Sequence, residues 1–169
     1  MIRLMTEADD YIAHGVSACA GCGMELILRN VLSILGEDVT VVIPPGCSAL
    51  FCGFGKETGM RVSAFQGNLE NTAAYAAGIK AGYEVQGNTH TTVLGFAGDG
   101  GTVDIGLQSL SGMMERGDKV LYICYDNEAY MNTGIQGSSS TPLAAWTTTT
   151  PGGKPTGRKN LLRIAMAHN

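Results

Sequence analysis

Apolar and polar positions change period several times along this chain, and each change marks an element. Met24, Ile27, Leu28, Val31, Leu32 and Leu35 recur at helical spacing and predict a helix over 24–35. The run Val39-Thr40-Val41-Val42-Ile43 reads as a buried strand stopped by Pro44-Pro45-Gly46. A second strand is predicted over 61–65. Gly67 then opens a turn into a small-residue helix over 69–81, whose Ala73, Ala74, Ala76, Ala77 and Ala81 suit close packing on a neighbour. The third strand, 91–97, ends in Gly98-Asp99-Gly100-Gly101, and a helix over 103–115 follows. A fourth strand, 119–125, ends in Asp126-Asn127, and a last helix begins over 160–168. Strands alternating with helices predict an α/β fold, a mostly parallel sheet with flanking helices. From Gly134 to Lys159 the chain is rich in Gly, Ser, Thr and Pro. So long a segment without regular structure is unusual in a compact domain, so 137–159 is expected to be an ordered functional loop.

At 169 residues the chain is expected to form a single domain, and its 44% apolar share excludes disordered and fibrous classes. Sparse charge (15%) with 24 glycines suggests tight turns and extensive subunit contact. A net charge of −4, with no long basic run, argues against nucleic acid as a partner. The start, Met1-Ile2-Arg3-Leu4-Met5-Thr6-Glu7, lacks a signal-peptide pattern, and no apolar stretch reaches membrane-spanning length. The expectation is a cytoplasmic protein with no membrane partner. In that compartment the five cysteines favour thiolate chemistry or burial over disulfides.

In open parallel sheets, ligands gather beyond the carboxyl ends of the strands. Gly98-Asp99-Gly100 lies at such an end. It fails as a dinucleotide fingerprint, because the third glycine position is Val103 and Asp99 would face the phosphates with like charge. Asp99 makes sense there if a divalent cation stands between it and the phosphates. Mg²⁺ takes oxygen ligands in octahedral geometry, commonly one or two from protein and the rest from phosphate and water. Asn127, at the next strand end, could add a side-chain oxygen and Ala129 a main-chain carbonyl. Two ordinary glycine turns with solvated polar residues are the competing reading.

Cys19-Ala20-Gly21-Cys22 is a C-x-x-C, and Cys47 follows in a Pro-Gly turn at a strand end. Thiolates on glycine-rich turns near a helix N-terminus suit a cluster site, since amide groups there stabilise sulfur charge. A redox C-x-x-C would be expected to follow a strand, and none precedes this one. Zinc needs a fourth ligand, and His14 is awkwardly spaced for it, reading better as a packing residue or cap. Cys52, among Leu50, Phe51 and Phe54, and Cys124, inside a strand, read as buried small hydrophobes. A non-catalytic iron–sulfur or zinc electron-transfer module is the alternative of a different class.

One resemblance gathers these motifs. His14-Gly15, Ala18 to Gly23, Pro45-Gly46-Cys47, Gly98 to Gly101, Asp104-Ile105-Gly106, Tyr125 to Gly134, Gln136 and Thr147 to Pro151 stand in the order and spacing of one family. The chain resembles the β subunit of pyruvate:ferredoxin oxidoreductase (pyruvate synthase) and related 2-oxoacid:ferredoxin oxidoreductases, over essentially its whole length. That resemblance implies the thiamine diphosphate-binding fold. It divides the domain into a cluster-binding part over 1–55 and a Mg²⁺–diphosphate site over 91–136. It implies thiamine diphosphate held at Gly98, Asp99, Gly100, Gly101, Asn127, Ala129, Thr133, Gly134 and Gln136, with Mg²⁺ on Asp99, Asn127 and the Ala129 carbonyl. Asn132 would stand near the reacting carbon, against its reading as a turn-former. Cys19, Cys22 and Cys47 would ligate a 4Fe–4S cluster whose fourth family ligand lies beyond the end of this chain; either the chain is a fragment of a longer subunit or the cluster is bound differently. The implied partners are an α-type subunit supplying the activating glutamate, a ferredoxin-like δ subunit, ferredoxin, coenzyme A and a 2-oxoacid. Glu25 and Glu70 therefore receive no catalytic assignment. Tyr130 to Gly134 is nearer the pyruvate type than the branched-chain or 2-oxoglutarate types. Oxalate oxidoreductase is the runner-up on the same scaffold.

Overall fold

The structure, a computed structural model, describes residues 10–53 and 58–168. The Met1 to Glu7 run and Phe54 lie outside the described residues.

Four parallel strands form the sheet: β1 (Val39–Ile43), β2 (Ser63–Gln66), β3 (Thr92–Gly98) and β4 (Leu121–Tyr125), in the order β2-β1-β3-β4. Every β1 residue is buried, as an unbroken β-branched run between two neighbouring strands requires. Side-chain alternation divides the core between two faces. Val39, Val41, Ile43, Leu94 and Phe96 pack with Met24, Leu28 and Leu32 of α1 (Gly23–Leu35). Val42 and Val93 face Ala76 of α3 (Thr72–Val85), while Ala73 meets Leu110 and Met113 of α4 (Leu107–Arg116). The alanine-rich helix thus packs closely on both sheet and helix, as its small side chains predict.

Several predicted boundaries move, each for a local reason. The second strand begins at Ser63 rather than Arg61, because Arg61 N–H donates to Tyr11 O at 2.8 Å and Met60 bridges Ile12. The third helix begins at Thr72 rather than 69, after a turn closed by Asn71 N–H on Asn68 O at 3.3 Å. It runs on to Val85 and ends at Gly87, whose φ of 78° suits a helix terminus. β4 starts at Leu121 rather than 119, because Val120 N–H turns back to Asp118 O at 2.8 Å.

The predicted helix over 103–115 is two pieces, a π-helical turn over Gly100–Asp104 and then α4. The wide turn brings Gly101 O against Gly106, where a Cβ would stand only 1.9 Å from that carbonyl. A short helix not read from the sequence, α2 (Ala49–Cys52), follows the Pro44–Ser48 turn. The last helix is α5 (Leu161–Ala165), capped by Asn160, whose Oδ1 accepts from Arg163 N–H at 3.0 Å. Within the 134–159 segment lies part of a small antiparallel hairpin, β5 (Ala129–Tyr130) with β6 (Gln136–Gly137). No helix among the described residues is long and apolar enough to cross a membrane.

Candidate functional site

β1 continues to β2 on one side of the sheet and β3 lies on its other side, so the β1/β3 boundary is where strand order reverses. A crevice is expected beyond the carboxyl ends there. A cleft occupies that place, lined by Pro44 to Cys47 after β1, Gly98 to Gly101 at the end of β3, and Tyr125, Asn127 and Ala129 to Thr133 around the end of β4.

At its base Asp99 is fully buried, and among the described residues it has no ion-pair partner. Burial raises its carboxyl pKa above the usual range, and nearby Asp126 raises it further. The Ser138 hydroxyl, which donates to Oδ2, and the backbone amides of Asp99 and Asn127 pull the other way. The Asn127 carboxamide places one terminal atom 2.9 Å from both Asp99 Oδ1 and Ala129 O; as nitrogen it donates to both, and as oxygen it joins them as a third acceptor. Three acceptor oxygens turned toward one another repel unless a cation stands among them. Cis ligands of an octahedral Mg²⁺, each about 2.0–2.1 Å from the ion, stand about 2.9 Å apart. The residues present therefore fit a hard divalent cation.

The backbone is bent to make this trio. Glu128, between the two Asn127 and Ala129 ligand candidates, has φ 68°, a conformation uncommon outside glycine. It is held on three sides. Its N–H donates to Asp126 Oδ1 at 3.0 Å, its carbonyl accepts from the Thr141 hydroxyl, and its carboxylate meets Arg158 at 2.7 Å. Arg158 also donates to Asp126 at 2.8 Å. Gly100 has no room for a side chain, because a Cβ would fall 2.3 Å from Tyr130, whose hydroxyl donates to Gly100 O at 3.2 Å.

The loop following the hairpin is tied down under the π-turn. Lys154 is buried, and its ammonium donates to Thr141 O at 2.6 Å, Gly157 O at 3.3 Å and Ser139 O at 3.4 Å. Ser139 N–H donates to Asp104 Oδ2 at 3.0 Å, and Lys159 bonds Val103 O. These ties hold Ser138 on Asp99. Ser138, Thr141, Lys154 and Arg158 carry no sequence signal, since each acts across a separation that no local motif spans; Tyr130 lies in the Tyr125 to Gly134 motif, but its contact with Gly100 is not legible there.

Cys47 shares the cleft, and Tyr125 holds its turn: the hydroxyl donates to Ser48 Oγ at 3.0 Å and accepts from Ser48 N–H at 3.1 Å. Burial pushes the Cys47 thiol up. The Asn127 side chain opposes this, nearby Cys22 and Cys19 add to it, and the Asn132 backbone amide opposes it again. The Asn127 amide nitrogen stands 3.7 Å from Cys47 Sγ. Cys22 caps α1 without a hydrogen bond from its sulfur, leaving the thiol free to ligate, and Cys19 is exposed. Amide donors thus converge on Cys47, and Cys22 and Cys19 lie near enough to act on its titration. Among the described residues no three His, Cys, Asp or Glu side chains are grouped so as to hold a metal ion.

His14 is neither packed nor a cap; it is exposed, 3.3 Å from the Asp10 carboxylate. Arg29 organises this end of the chain, donating to Glu25 at 2.6 Å, to Ile12 O at 2.6 Å, to Ala13 O at 3.1 Å and to Asp10. Cys52 is half-buried against the core on α2, and burial raises its pKa. Cys124 is half-buried on β4, and burial pushes its pKa to about 11. Of the other predicted residues, Asn132 and Thr133 line the cleft. Gly134 and Gln136 do not; Gln136 instead accepts from the Thr133 hydroxyl at 2.5 Å and shapes the hairpin turn.

A parallel sheet with a glycine turn and clustered oxygens at its switch point is the setting in which α/β domains bind phosphate-bearing ligands. The family described as thiamine pyrophosphate enzyme, C-terminal TPP binding domain, matches residues 45–169. The ketoisovalerate oxidoreductase subunit VorB of Pyrococcus abyssi is 47% identical over 176 residues, covering 98% of this chain and 57% of that protein. The pyruvate synthase subunit PorB of Methanothermobacter thermautotrophicus is 46% identical over 165 residues, covering 95% and 57%. The chain belongs to the β-subunit family of the 2-oxoacid:ferredoxin oxidoreductases. It spans 57% of the length of these curated relatives. A 2-oxoglutarate:ferredoxin oxidoreductase structure from Magnetococcus marinus superposes with a TM-score of 0.81 at 21% identity, covering 96% of this chain and 55% of that one. At that identity the likeness concerns the fold.

Proposed function

We propose that this chain provides the Mg²⁺–diphosphate and cluster-binding side of a pyruvate-type 2-oxoacid:ferredoxin oxidoreductase. The observation that carries this reading is the Asn127 carboxamide standing 2.9 Å from both Asp99 Oδ1 and Ala129 O, the spacing of neighbouring ligands on an octahedral ion, beside Cys47. Asp99, Asn127 and the Ala129 carbonyl would hold Mg²⁺. Gly98, Gly100 and Gly101 would offer bare backbone to the diphosphate, with Thr133 on the far wall and Gly134 and Gln136 shaping the hairpin turn behind it. Bound there, thiamine diphosphate supplies a nucleophilic carbon and an electron sink. Asn132 is exposed at the cleft wall, where its side chain can orient the 2-oxoacid while its backbone amide serves Cys47. Cys19, Cys22 and Cys47 would supply three ligands of a 4Fe–4S cluster.

The net reaction converts a 2-oxoacid, coenzyme A and two oxidised ferredoxins to acyl-coenzyme A, CO₂, a proton and two reduced ferredoxins. An α-type subunit would contribute the activating glutamate and a ferredoxin-like δ subunit would carry electrons. Free thiols agree with the reducing cytoplasm. Relatives bearing ketoisovalerate and pyruvate names at nearly equal identity support a second reading, a branched-chain 2-oxoacid.

In the assembled complex, Asp99→Ala is expected to abolish retention of thiamine diphosphate, measured after release from purified protein. A variant carrying the full complement would sink the metal assignment. Comparing coenzyme A-dependent ferredoxin reduction on pyruvate and on 2-oxoisovalerate decides between the two substrates.

A further inference from the structure

Asn127 has two chemically defined orientations. In one, its oxygen faces Ala129 O and Asp99 Oδ1 at 2.9 Å, and its nitrogen stands 3.7 Å from Cys47 Sγ. In the other, a half-turn of the amide lets the nitrogen donate to both oxygens at 2.9 Å and leaves the oxygen opposite the sulfur. The first orientation needs a cation among the oxygens; the second satisfies them without one. The exchange rotates one terminal sp³–sp² torsion, whose energy profile is broad, and requires no backbone movement.

We infer that the Asn127 carboxamide is a relay that reports occupancy of the cation site to Cys47, presenting an N–H to the sulfur when the cation is bound and an oxygen when it is not. This rests on the reading above, in which the trio holds Mg²⁺ and Cys47 ligates the cluster. A donor to a ligating thiolate withdraws electron density and favours the reduced cluster. Cofactor loading therefore raises the cluster's potential. By linkage, reduction of the cluster tightens the cation site. The Asn132 amide also faces Cys47, but it belongs to the backbone and does not change with the rotation. Mg²⁺, the diphosphate and the thiazolium nearly cancel in charge, so loading has little through-space effect that would mimic the relay.

The test is an EPR-monitored potentiometric titration of the assembled, anaerobically purified complex. It is run on the stripped complex and again after reloading with Mg²⁺ and thiamine diphosphate. The wild type is expected to shift to a more positive potential on loading. Asn127→Asp keeps an oxygen ligand but has no N–H, and it is expected to reload and lose that shift. Its fixed charge cancels because each protein is compared with itself. Equal shifts in both proteins, or none in the wild type, overturn the relay and leave the proposed function standing. A wild-type complex that does not rebind the cofactor, together with unchanged iron content in a Cys47→Ala complex, overturns both. Should Asn127→Asp fail to reload, side-chain ¹⁵N-labelled asparagine in the wild type gives a second readout. Nitrogen hyperfine coupling to the reduced cluster is expected in the loaded form and not in the stripped form; identical coupling in both overturns the relay.

Discussion

The two ends of the cleft are built on different principles. At the oxygen end, the fully buried Asp99 is held by Ser138, a strained Glu128 and a loop pinned by the buried Lys154. At the sulfur end, Cys19 is exposed, Cys22 makes no capping bond, and the preceding segment is tied to α1 by Arg29 and by the packing of Ile12. A hard cation tolerates little misplacement of its ligands, so its site is set in advance by packing. Thiolates gain most of their order from the cluster they ligate, so their scaffold can be lighter. Damage at one end should therefore leave the other largely intact.

Gly106→Ala gives the largest expected effect. Its Cβ would enter the Gly101 carbonyl, which is backbone and cannot swing aside. The π-turn carrying Asp99 must then shift, with a loss of about 3 kcal/mol in denaturant unfolding and loss of thiamine diphosphate retention. Retained iron would uphold the separation of the two ends; equal loss of both would break it.

Arg29→Met tests the opposite end. It leaves Asp10 buried without its guanidinium and releases Ile12 O and Ala13 O. A cost of about 2 kcal/mol is expected, with faster hydrogen exchange over residues 10–22 and lower iron content. Cofactor binding at Asp99 should persist; its loss would show that the ends are coupled through the fold.

The smallest effect is a pH dependence confined to the oxygen end. Burial raises the Asp99 pKa in the folded state, so this group's contribution to stability is present below the unfolded value and is lost as pH rises through the folded one. Cofactor-free protein should lose stability as pH leaves the acid range. Mg²⁺ with thiamine diphosphate neutralises the carboxylate, so the gain in Tm on loading should grow with pH by a few degrees. Asp99→Asn should remove both trends; a pH-independent gain in the wild type would contradict the assignment.

Much of the scaffold was legible because it is local. The apolar run of β1, the 3.6-residue period of α1 and the alanine face of α3 each declare their element and its buried side. Gly-Asp-Gly and Asn127 announced themselves as strand-end residues, and so did Cys47 in its Pro-Gly turn. Less was legible where backbone bonding overrode periodicity. The π-turn at 100–104 breaks a pattern that reads as one continuous helix, and Arg61 pairs with the N-terminal segment instead of extending β2.

By itself, then, the sequence determined the α/β alternation, the strand-end placement of Asp99, Asn127 and Cys47, and the motif order that marks the family. These depend on short-range periodicity and turn chemistry. The tertiary structure alone decided that Ser138 reaches Asp99 and that the Asn127 carboxamide stands 2.9 Å from both Asp99 Oδ1 and Ala129 O while facing Cys47. Those are contacts between residues far apart in the chain, and only the packing of the sheet and its loops brings them to one point.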